Sequence, residues 1–143
     1  MVEFISHSEA ETQKFGEEFA KTLKSGSVLA LFGDLGSGKT TFTKGLAKGL
    51  GIKRRITSPT FVLMRDYDLP QEDNAQLHHL DLYRLNSSDE LKSLDLNELV
   101  NQEKNIYVIE WAQKARQEEL EKAIRISFEI LGEQIRKITV KNP

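Results

Sequence analysis

Residues 27–42 read SVLALFGDLGSGKTTF, and this stretch decides the fold. Its mostly apolar start, residues 27–32, predicts a buried strand. The segment 33–40 has the pattern G-x-x-x-x-G-K-T. The residues after it predict a helix, because apolar side chains recur at helical spacing at Phe42, Leu46, Ala47 and Leu50. A strand, a glycine-rich loop and a helix in this order are typical of a phosphate-binding loop.

The residue types of this loop fit a nucleoside triphosphate bound with magnesium. Backbone N–H groups of such a loop converge on phosphate oxygens, glycines allow a close approach, and the helix N-terminus adds partial positive charge. Lys39 is expected to bridge the outer phosphates, and Thr40 to offer its hydroxyl to magnesium. The predicted phosphate-binding residues are Gly33, Gly36, Ser37, Gly38, Lys39, Thr40 and Thr41. The alternative is a strand-to-helix turn that binds no nucleotide. Packing in such a turn does not explain the Gly-Lys-Thr sequence at the helix start.

Length and composition predict one domain spanning residues 1–143, large enough to bury about two-thirds of its unfolded surface. A net charge of −2 argues against strong nonspecific binding to nucleic acid. The chain contains no cysteine, which excludes disulfides and cysteine-ligated zinc. No apolar stretch approaches the length of a membrane span, and the first residues lack a signal-peptide pattern, so we expect a cytoplasmic protein.

Strand and helix patterns alternate along the rest of the chain. Strands are predicted at residues 2–5, 61–67, 77–83, 106–109, 124–131 and 135–140. Helices are predicted at residues 8–24, 41–50, 87–94 and 113–122, the first and third opened by capping boxes. The expected fold is an α/β, P-loop NTPase-like sandwich with a mixed parallel/antiparallel sheet flanked by helices. The sheet is expected to be parallel near the loop and antiparallel at its edge.

Two carboxylates are candidates to hold magnesium. Glu110 ends an apolar strand, and the carboxyl end of a parallel strand opens onto the crevice where a nucleotide sits. The alternative is an ordinary surface Glu at a strand end. In another strand-like run, period-two alternation places His79, Asp81 and Tyr83 on a face too polar for plain core. Asp81 is expected to coordinate magnesium through water or to orient the attacking water, with a purely structural role as the alternative.

Other features carry weaker signals. Thr60 lies between the helix of the loop and the next strand, where nucleotide switches keep a threonine that senses the third phosphate. The alternative is a Pro-Thr entry into a strand. His78 and His79 face opposite ways on a strand and cannot chelate one metal together. The basic run 53–55 is either an RNA contact or, more commonly, a solvated helix end, and Trp111 is expected to pack against the sheet edge.

Four motifs, in their order and separations, closely resemble those of one family. They are GDLGSGKTTF at 33–42, SPTF at 58–61, HLDLYRL at 79–85 and IEW at 109–111. Over essentially its whole length, the chain resembles the small bacterial ATPases of tRNA threonylcarbamoyladenosine biosynthesis, the TsaE or YjeE family. Each motif is modest alone, but the ordered set is highly specific. Two departures are slight: Ser37 stands where alanine is common, and Gln113 where an acid is frequent.

The resemblance implies ATP and Mg²⁺ as ligands and a role for each matching residue. The implied roles are phosphate binding by Lys39, magnesium binding by Thr40 and Glu110, a switch loop containing Thr60, hydrolysis requiring Asp81, and an adenine site bordered by Thr12 and Gly132. Lys39, Asp81 and Thr60 are then the expected catalytic residues, in an attack of water on the third phosphate. We expect slow intrinsic turnover, because the chain has no obvious arginine finger besides Arg84, and a partner could supply one.

The resemblance also implies partners. Members of the family bind a heterodimer of a threonylcarbamoyl transferase and its inactive paralogue, and hydrolyse ATP to reset that complex. This chain is therefore expected to dock to that protein pair, to contact tRNA weakly or indirectly, and not to touch a membrane. One alternative is a small-molecule P-loop kinase, but residues 111–124 do not resemble its arginine-rich lid. The other is a nucleotide-dependent switch module, but the chain lacks the Asn-Lys-x-Asp motif used for guanine.

Overall fold

The computed structural model describes residues 1–57, 64–85, 95–100 and 103–143. Its strands are β1 (Val2–Ser6), β2 (Val28–Phe32), β3 (Met64–Asp68), β4 (Gln76–Asp81), β5 (Ile106–Glu110), β6 (Ile124–Ile130) and β7 (Arg136–Lys141). Its α-helices are α1 (Glu9–Ala20), α2 (Lys39–Gly49) and α3 (Leu96–Leu99), and short 3₁₀ helices span Ala112–Lys114 and Gln117–Leu120. Thr60, residues 61–63 of the predicted strand 61–67 and the predicted helix 87–94 lie outside the described residues. No helix in the described ranges is long and apolar enough to cross a membrane.

The described strands form one sheet in the order β1-β7-β6-β2-β5-β4-β3. The pairs β6–β2, β2–β5 and β5–β4 are parallel, whereas β1–β7, β7–β6 and β4–β3 are antiparallel. The interior strand β5 is buried throughout, as expected of a parallel strand covered on both faces. The predicted mixed sheet, parallel beside the loop and antiparallel towards its edges, is confirmed.

Two apolar clusters cover the two faces of this sheet. Alternating residues of β2 separate them: Leu29 and Leu31 pack with α1 and α2, whereas Ala30 packs with α3 and the 3₁₀ helices. Helices therefore flank the sheet on both sides, as predicted. The start of α2 lies at the carboxyl ends of the parallel strands, where the Thr40 side chain bonds to Glu110 at the end of β5.

Helices α1 and α2 contact each other through their backbones at three glycines. A Cβ at Gly45 would lie 1.9 Å from the carbonyl oxygen of Gln13, and one at Gly16 would lie 2.3 Å from that of Phe42. At Gly49, a Cβ would come within 2.4 Å of another α1 carbonyl. These distances are far below van der Waals contact, so the helices approach this closely only because these positions have no side chain. The contact fixes the start of α1 beside the start of α2.

The predicted helix at residues 113–122 is wrong. The segment forms two 3₁₀ turns, with extended backbone beginning at Ala115 between them. Ala115 and Leu120 are both buried in the second apolar cluster, at a spacing that one face of an α-helix does not provide. The Gln117 side chain donates to the carbonyl oxygens of Ala112 (3.5 Å) and Ala115 (3.0 Å). Packing and local side-chain bonds therefore override the helix propensity of this charge-rich segment.

The other described elements differ from the prediction at their ends. Strand β4 ends at Asp81 rather than Tyr83, because the Asp81 carboxylate accepts a hydrogen bond from the N–H of Tyr83 (2.9 Å) and turns the chain. Helix α1 ends at Ala20 rather than near Lys24. The early end of β4 matters for the site, because it leaves Asp81 as the last residue of its strand.

Candidate functional site

A cleft of about 1010 Å³ opens at the carboxyl ends of the central strands. Its walls come from the start of α1, the loop before α2, the ends of β4 and β5, and the turn between β6 and β7. Most of the predicted site residues line it: Thr12, Gly36, Ser37, Gly38, Lys39, Thr40, Thr41, Asp81 and Glu110. Gly33 and Gly132 lie at its margins, where their carbonyl oxygens accept hydrogen bonds from side chains that line the cleft. The structure thus brings the predicted residues that it describes to one place.

The loop between β2 and α2 has a backbone that favours glycine. Gly36 and Gly38 have φ angles of +78° and +108°, a region that residues with a Cβ rarely adopt. Gly38 immediately precedes α2, and its carbonyl oxygen accepts the N–H of Phe42 (2.9 Å). Among the described residues, no side chain caps this helix start. Its first N–H groups, which have no partner within the helix, are placed to bind an anion in the cleft.

The ammonium group of Lys39 is buried under the loop that precedes it. Its Nζ donates to the carbonyl oxygens of Gly33 (2.7 Å) and Asp34 (2.9 Å), and lies 4.3 Å from the ring centroid of Trp111. Burial lowers the pKa of Lys39, while nearby carboxylates, chiefly that of Glu110, oppose the shift. Holding a cation in this position costs free energy, which an anion bound beside it would offset.

Two carboxylates lie side by side at the ends of neighbouring parallel strands, Asp81 on β4 opposite Glu110 on β5. The hydroxyl of Thr40 donates to Oε1 of Glu110 (2.9 Å), and Nε2 of His79 lies 2.5 Å from Oε2. Glu110 is only 2% exposed, which excludes an ordinary surface residue at a strand end. Both acids therefore face the start of α2, where the sequence predicts the phosphates.

The oxygen donors of this cluster fit a magnesium ion. Thr40, Asp81 and Glu110 offer one hydroxyl and two carboxylates, the hard ligands that Mg²⁺ prefers. Within the described part of the chain, there is no group of three or more His, Cys, Asp or Glu side chains placed to hold a metal by itself. Mg²⁺ is usually bound by one or two carboxylates together with phosphates and waters.

Trp111 lines the cleft and also packs against the apolar cluster that covers one face of the sheet. Its backbone, directly after β5, is left-handed with φ 58° and ψ 42°, which costs a residue other than glycine about 1–3 kcal/mol. The indole ring packs against Tyr83, with centroids 4.8 Å apart, and its face meets the ammonium of Lys39. Nothing in the sequence signals this conformation, because tertiary contacts hold it.

Arg136, at the start of β7, is a site residue that the sequence patterns missed. Its Nε and Nη2 donate to the carbonyl oxygen of Gly36 (3.3 and 3.0 Å). Its Nη1 donates to the carbonyl oxygens of Gly132 (2.9 Å) and Ile135 (3.0 Å). The guanidinium therefore ties the β6–β7 turn to the phosphate-binding loop. A lone arginine after a glycine-containing turn is too common a pattern to identify this role in advance.

Replacing Arg136 with Ala is expected to weaken nucleotide binding about tenfold, the equivalent of about 1.4 kcal/mol. The change removes both charge-assisted bonds to Gly36. The loop must then be ordered when the nucleotide binds, and this ordering reduces the net free energy of binding. Calorimetric titration with ADP measures the effect. The matched control is Lys137→Ala, which removes only an exposed pair with Glu3 (3.6 Å). Equal affinities for the two variants would contradict the bracing role of Arg136.

Comparisons with known proteins agree with the fold and the motifs. Residues 6–138 match the family model described as threonylcarbamoyl adenosine biosynthesis protein TsaE. The chain is 39% identical to the tRNA threonylcarbamoyladenosine biosynthesis protein TsaE of Treponema pallidum over 136 residues, which cover 95% of this chain and 97% of that protein. It is 37% identical to the TsaE protein of Aquifex aeolicus, covering 96% of this chain and 94% of that protein.

A solved structure supports the same assignment. The crystal structure of Bacillus subtilis YdiB aligns with a TM-score of 0.78 and 32% identity, covering 99% of this chain and 84% of that one. The α/β fold and the resemblance stated from four sequence motifs are thereby confirmed. The chain belongs to the TsaE family and shares that family's role in tRNA threonylcarbamoyladenosine biosynthesis.

Proposed function

We propose that this chain hydrolyses MgATP to ADP and phosphate, and that hydrolysis resets a partner complex in tRNA threonylcarbamoyladenosine biosynthesis. One observation carries the proposal. The buried ammonium of Lys39 and the hydroxyl of Thr40 meet the carboxylates of Glu110 and Asp81 in one cleft, at the start of a helix. A cation, oxygen ligands for a divalent ion and helix N–H groups are the parts that enzymatic phosphoryl transfer uses.

The proposed roles follow from these contacts. Lys39 and the N–H groups of the loop bind the outer phosphates, with Thr41 beside the first phosphate. Thr40 and Glu110 hold magnesium, which when bound would neutralise charge on the phosphate oxygens. Asp81 binds that ion through water or orients the attacking water, and its bond from the Tyr83 N–H holds the carboxylate at the edge of the cleft. Thr60 is proposed to sense the third phosphate.

The adenine is proposed to lie between α1 and the β6–β7 turn. Thr12 is buried on the α1 side, where its hydroxyl and that of Ser6 are 2.7 Å apart. Gly132 lies on the other side, in the turn whose position Arg136 fixes. Both sides border the phosphate-binding loop. A nucleotide whose phosphates lie beside Asp81 and Glu110 would therefore reach the space between α1 and the β6–β7 turn with its base.

We expect slow turnover of the isolated chain and stimulation by its partners. Arg84 lines the cleft and is the internal candidate for an arginine finger. A partner's arginine is the alternative source of this charge. Full partner-stimulated activity in an Arg84→Ala variant would assign the finger to the partner.

The proposed partners are the threonylcarbamoyl transferase and its inactive paralogue. Support comes from the family assignment and from the net charge of −2, which disfavours a large direct contact with tRNA. The chain would then act on the modification of tRNA through protein contacts. This role fits a cytoplasmic protein.

The test is ATP hydrolysis with magnesium, for the chain alone and with the transferase–paralogue pair. We expect marked stimulation by the pair, and a loss of about 100-fold or more in an Asp81→Ala variant. The matched control is Asp66→Ala, an exposed acid on β3 that bonds His78. ATP binding without stimulation would overturn the partner proposal. A phosphorylated acceptor in place of free phosphate would favour a kinase, and stronger binding of GTP than ATP would favour a switch module.

A further inference from the structure

A buried histidine contacts the carboxylate at the centre of the cleft. His79 lies on β4, completely shielded from solvent, opposite Val108 on β5. Its side chain reaches diagonally along the neighbouring strand, so that Nε2 lies 2.5 Å from Oε2 of Glu110. Glu110 is itself buried, and its other oxygen, Oε1, accepts the hydroxyl of Thr40. Each carboxylate oxygen of Glu110 therefore has its own partner.

The second ring nitrogen identifies the donor in this pair. Nδ1 of His79 is buried and has no hydrogen-bond partner among the described residues. A buried N–H without an acceptor is rarer in proteins than a buried acceptor without a donor. The hydrogen is therefore assigned to Nε2, which donates to Oε2 of Glu110.

We propose that His79 is a positioning residue for the magnesium site: it holds the Glu110 carboxylate in the orientation that presents Oε1 beside the Thr40 hydroxyl. The inference rests on the proposed function, because it assumes magnesium between Thr40 and Glu110. A ligating carboxylate that is fixed by an outer hydrogen bond loses less freedom when it binds the ion. Without His79, Glu110 can rotate about its side-chain bonds and its second oxygen is left buried without a donor.

The neighbouring histidine provides a matched control. His78 faces the other side of the strand, where Nδ1 lies 2.5 Å from an oxygen of Asp66 and Nε2 lies 3.1 Å from the side-chain nitrogen of Asn105. Both of its ring nitrogens are thus engaged on that side of the strand. Substitutions at positions 78 and 79 therefore change the same strand, but only those at 79 change the cleft.

The experiment compares His79→Leu, His79→Gln and His78→Gln in the full chain. ADP binding is followed by the fluorescence of Trp111, first in EDTA and then over a magnesium titration. In His79→Leu we expect the magnesium concentration that gives half of the maximal change in Trp111 fluorescence to rise about tenfold or more. Affinity for ADP in EDTA should stay the same, because the phosphate contacts of the loop remain. His79→Gln should restore most of the magnesium response, because its amide N–H can replace Nε2, and His78→Gln should behave as the wild type.

A magnesium response unchanged in His79→Leu would overturn the inference, and so would a His79→Gln variant as impaired as His79→Leu. If His79→Leu does not fold, ¹⁵N NMR of the wild-type imidazole decides: a hydrogen on Nε2 supports the inference, and a ring without a hydrogen on Nε2 overturns it. Failure of the proposed function gives a different result. A wild-type chain that binds no ADP would refute nucleotide binding itself. If the wild type binds ADP and responds to magnesium, any difference in the His79 variants concerns the role of His79 alone.

Discussion

An Ala at position 39 is expected to lower ATP hydrolysis by about 100- to 1000-fold. The ammonium of Lys39 is the buried cation nearest to the proposed phosphates, and the carboxylates of Glu110 and Asp81 make the cleft unfavourable for anions once it is removed. Nucleotide affinity should fall as well, because no other side chain on the loop carries positive charge.

Single-turnover hydrolysis with excess enzyme measures this effect, and calorimetric titration with ADP separates binding from chemistry. The matched control is Lys44→Ala, an exposed lysine on the same helix that lies outside the cleft. Retention of more than a tenth of the wild-type rate in Lys39→Ala would contradict the central role of this cation. A comparable loss in Lys44→Ala would point to general damage of α2 instead.

Ala at position 45 is expected to destabilise the fold by a net amount of about 2 kcal/mol or more. The added methyl group would lie 1.9 Å from the carbonyl oxygen of Gln13, so α1 and α2 must move apart. Ala is about 1 kcal/mol better than Gly inside a helix, so local propensity alone predicts the opposite sign. The net loss should lower the melting temperature by about 6 °C or more.

Thermal and urea unfolding followed by circular dichroism measure this change. Gly132→Ala is the control for stability, because a Cβ there meets only ordinary contacts of 3.5 Å or more, all with Ile135. We expect that variant to unfold at the wild-type temperature. A Gly45→Ala variant as stable as the wild type, or more stable, would show that the helix contact relaxes without cost.

The sequence suffices for the phosphate-binding loop and its acids, because their signals are local. The spacing of Gly33, Gly38 and Lys39 fixes the loop, and the apolar strand that ends in Glu110 is typical of the acid that accompanies such a loop. Alternation alone places Asp81 on a polar face. That Asp81 lies opposite Glu110 depends on the parallel pairing and register of β4 and β5, which the sequence patterns did not predict.

The remaining features depend on contacts between distant parts of the chain. The bond from His79 to Glu110 requires the register of β4 on β5, and Arg136 reaches Gly36 from the far end of the sequence. The left-handed backbone of Trp111 is held by its neighbours in space. None of these leaves a periodic pattern, so sequence reasoning could not have placed them. The glycines of α2 can be read from the sequence, but only the packing of α1 against α2 explains why these positions lack a side chain.

The position of β7 has a consequence for how the chain folds. This last strand pairs with both β6 and β1, and Val140 lies opposite Val2 although the two are separated by almost the whole chain. Closing so long a loop is entropically expensive, and contacts of this range are formed slowly. Arg136 belongs to that strand, so its hydrogen bonds to Gly36 in the phosphate-binding loop are expected to form late, after the local βα unit. During synthesis on a ribosome, full nucleotide affinity should therefore appear only when the whole sheet is complete, and not when the loop first forms.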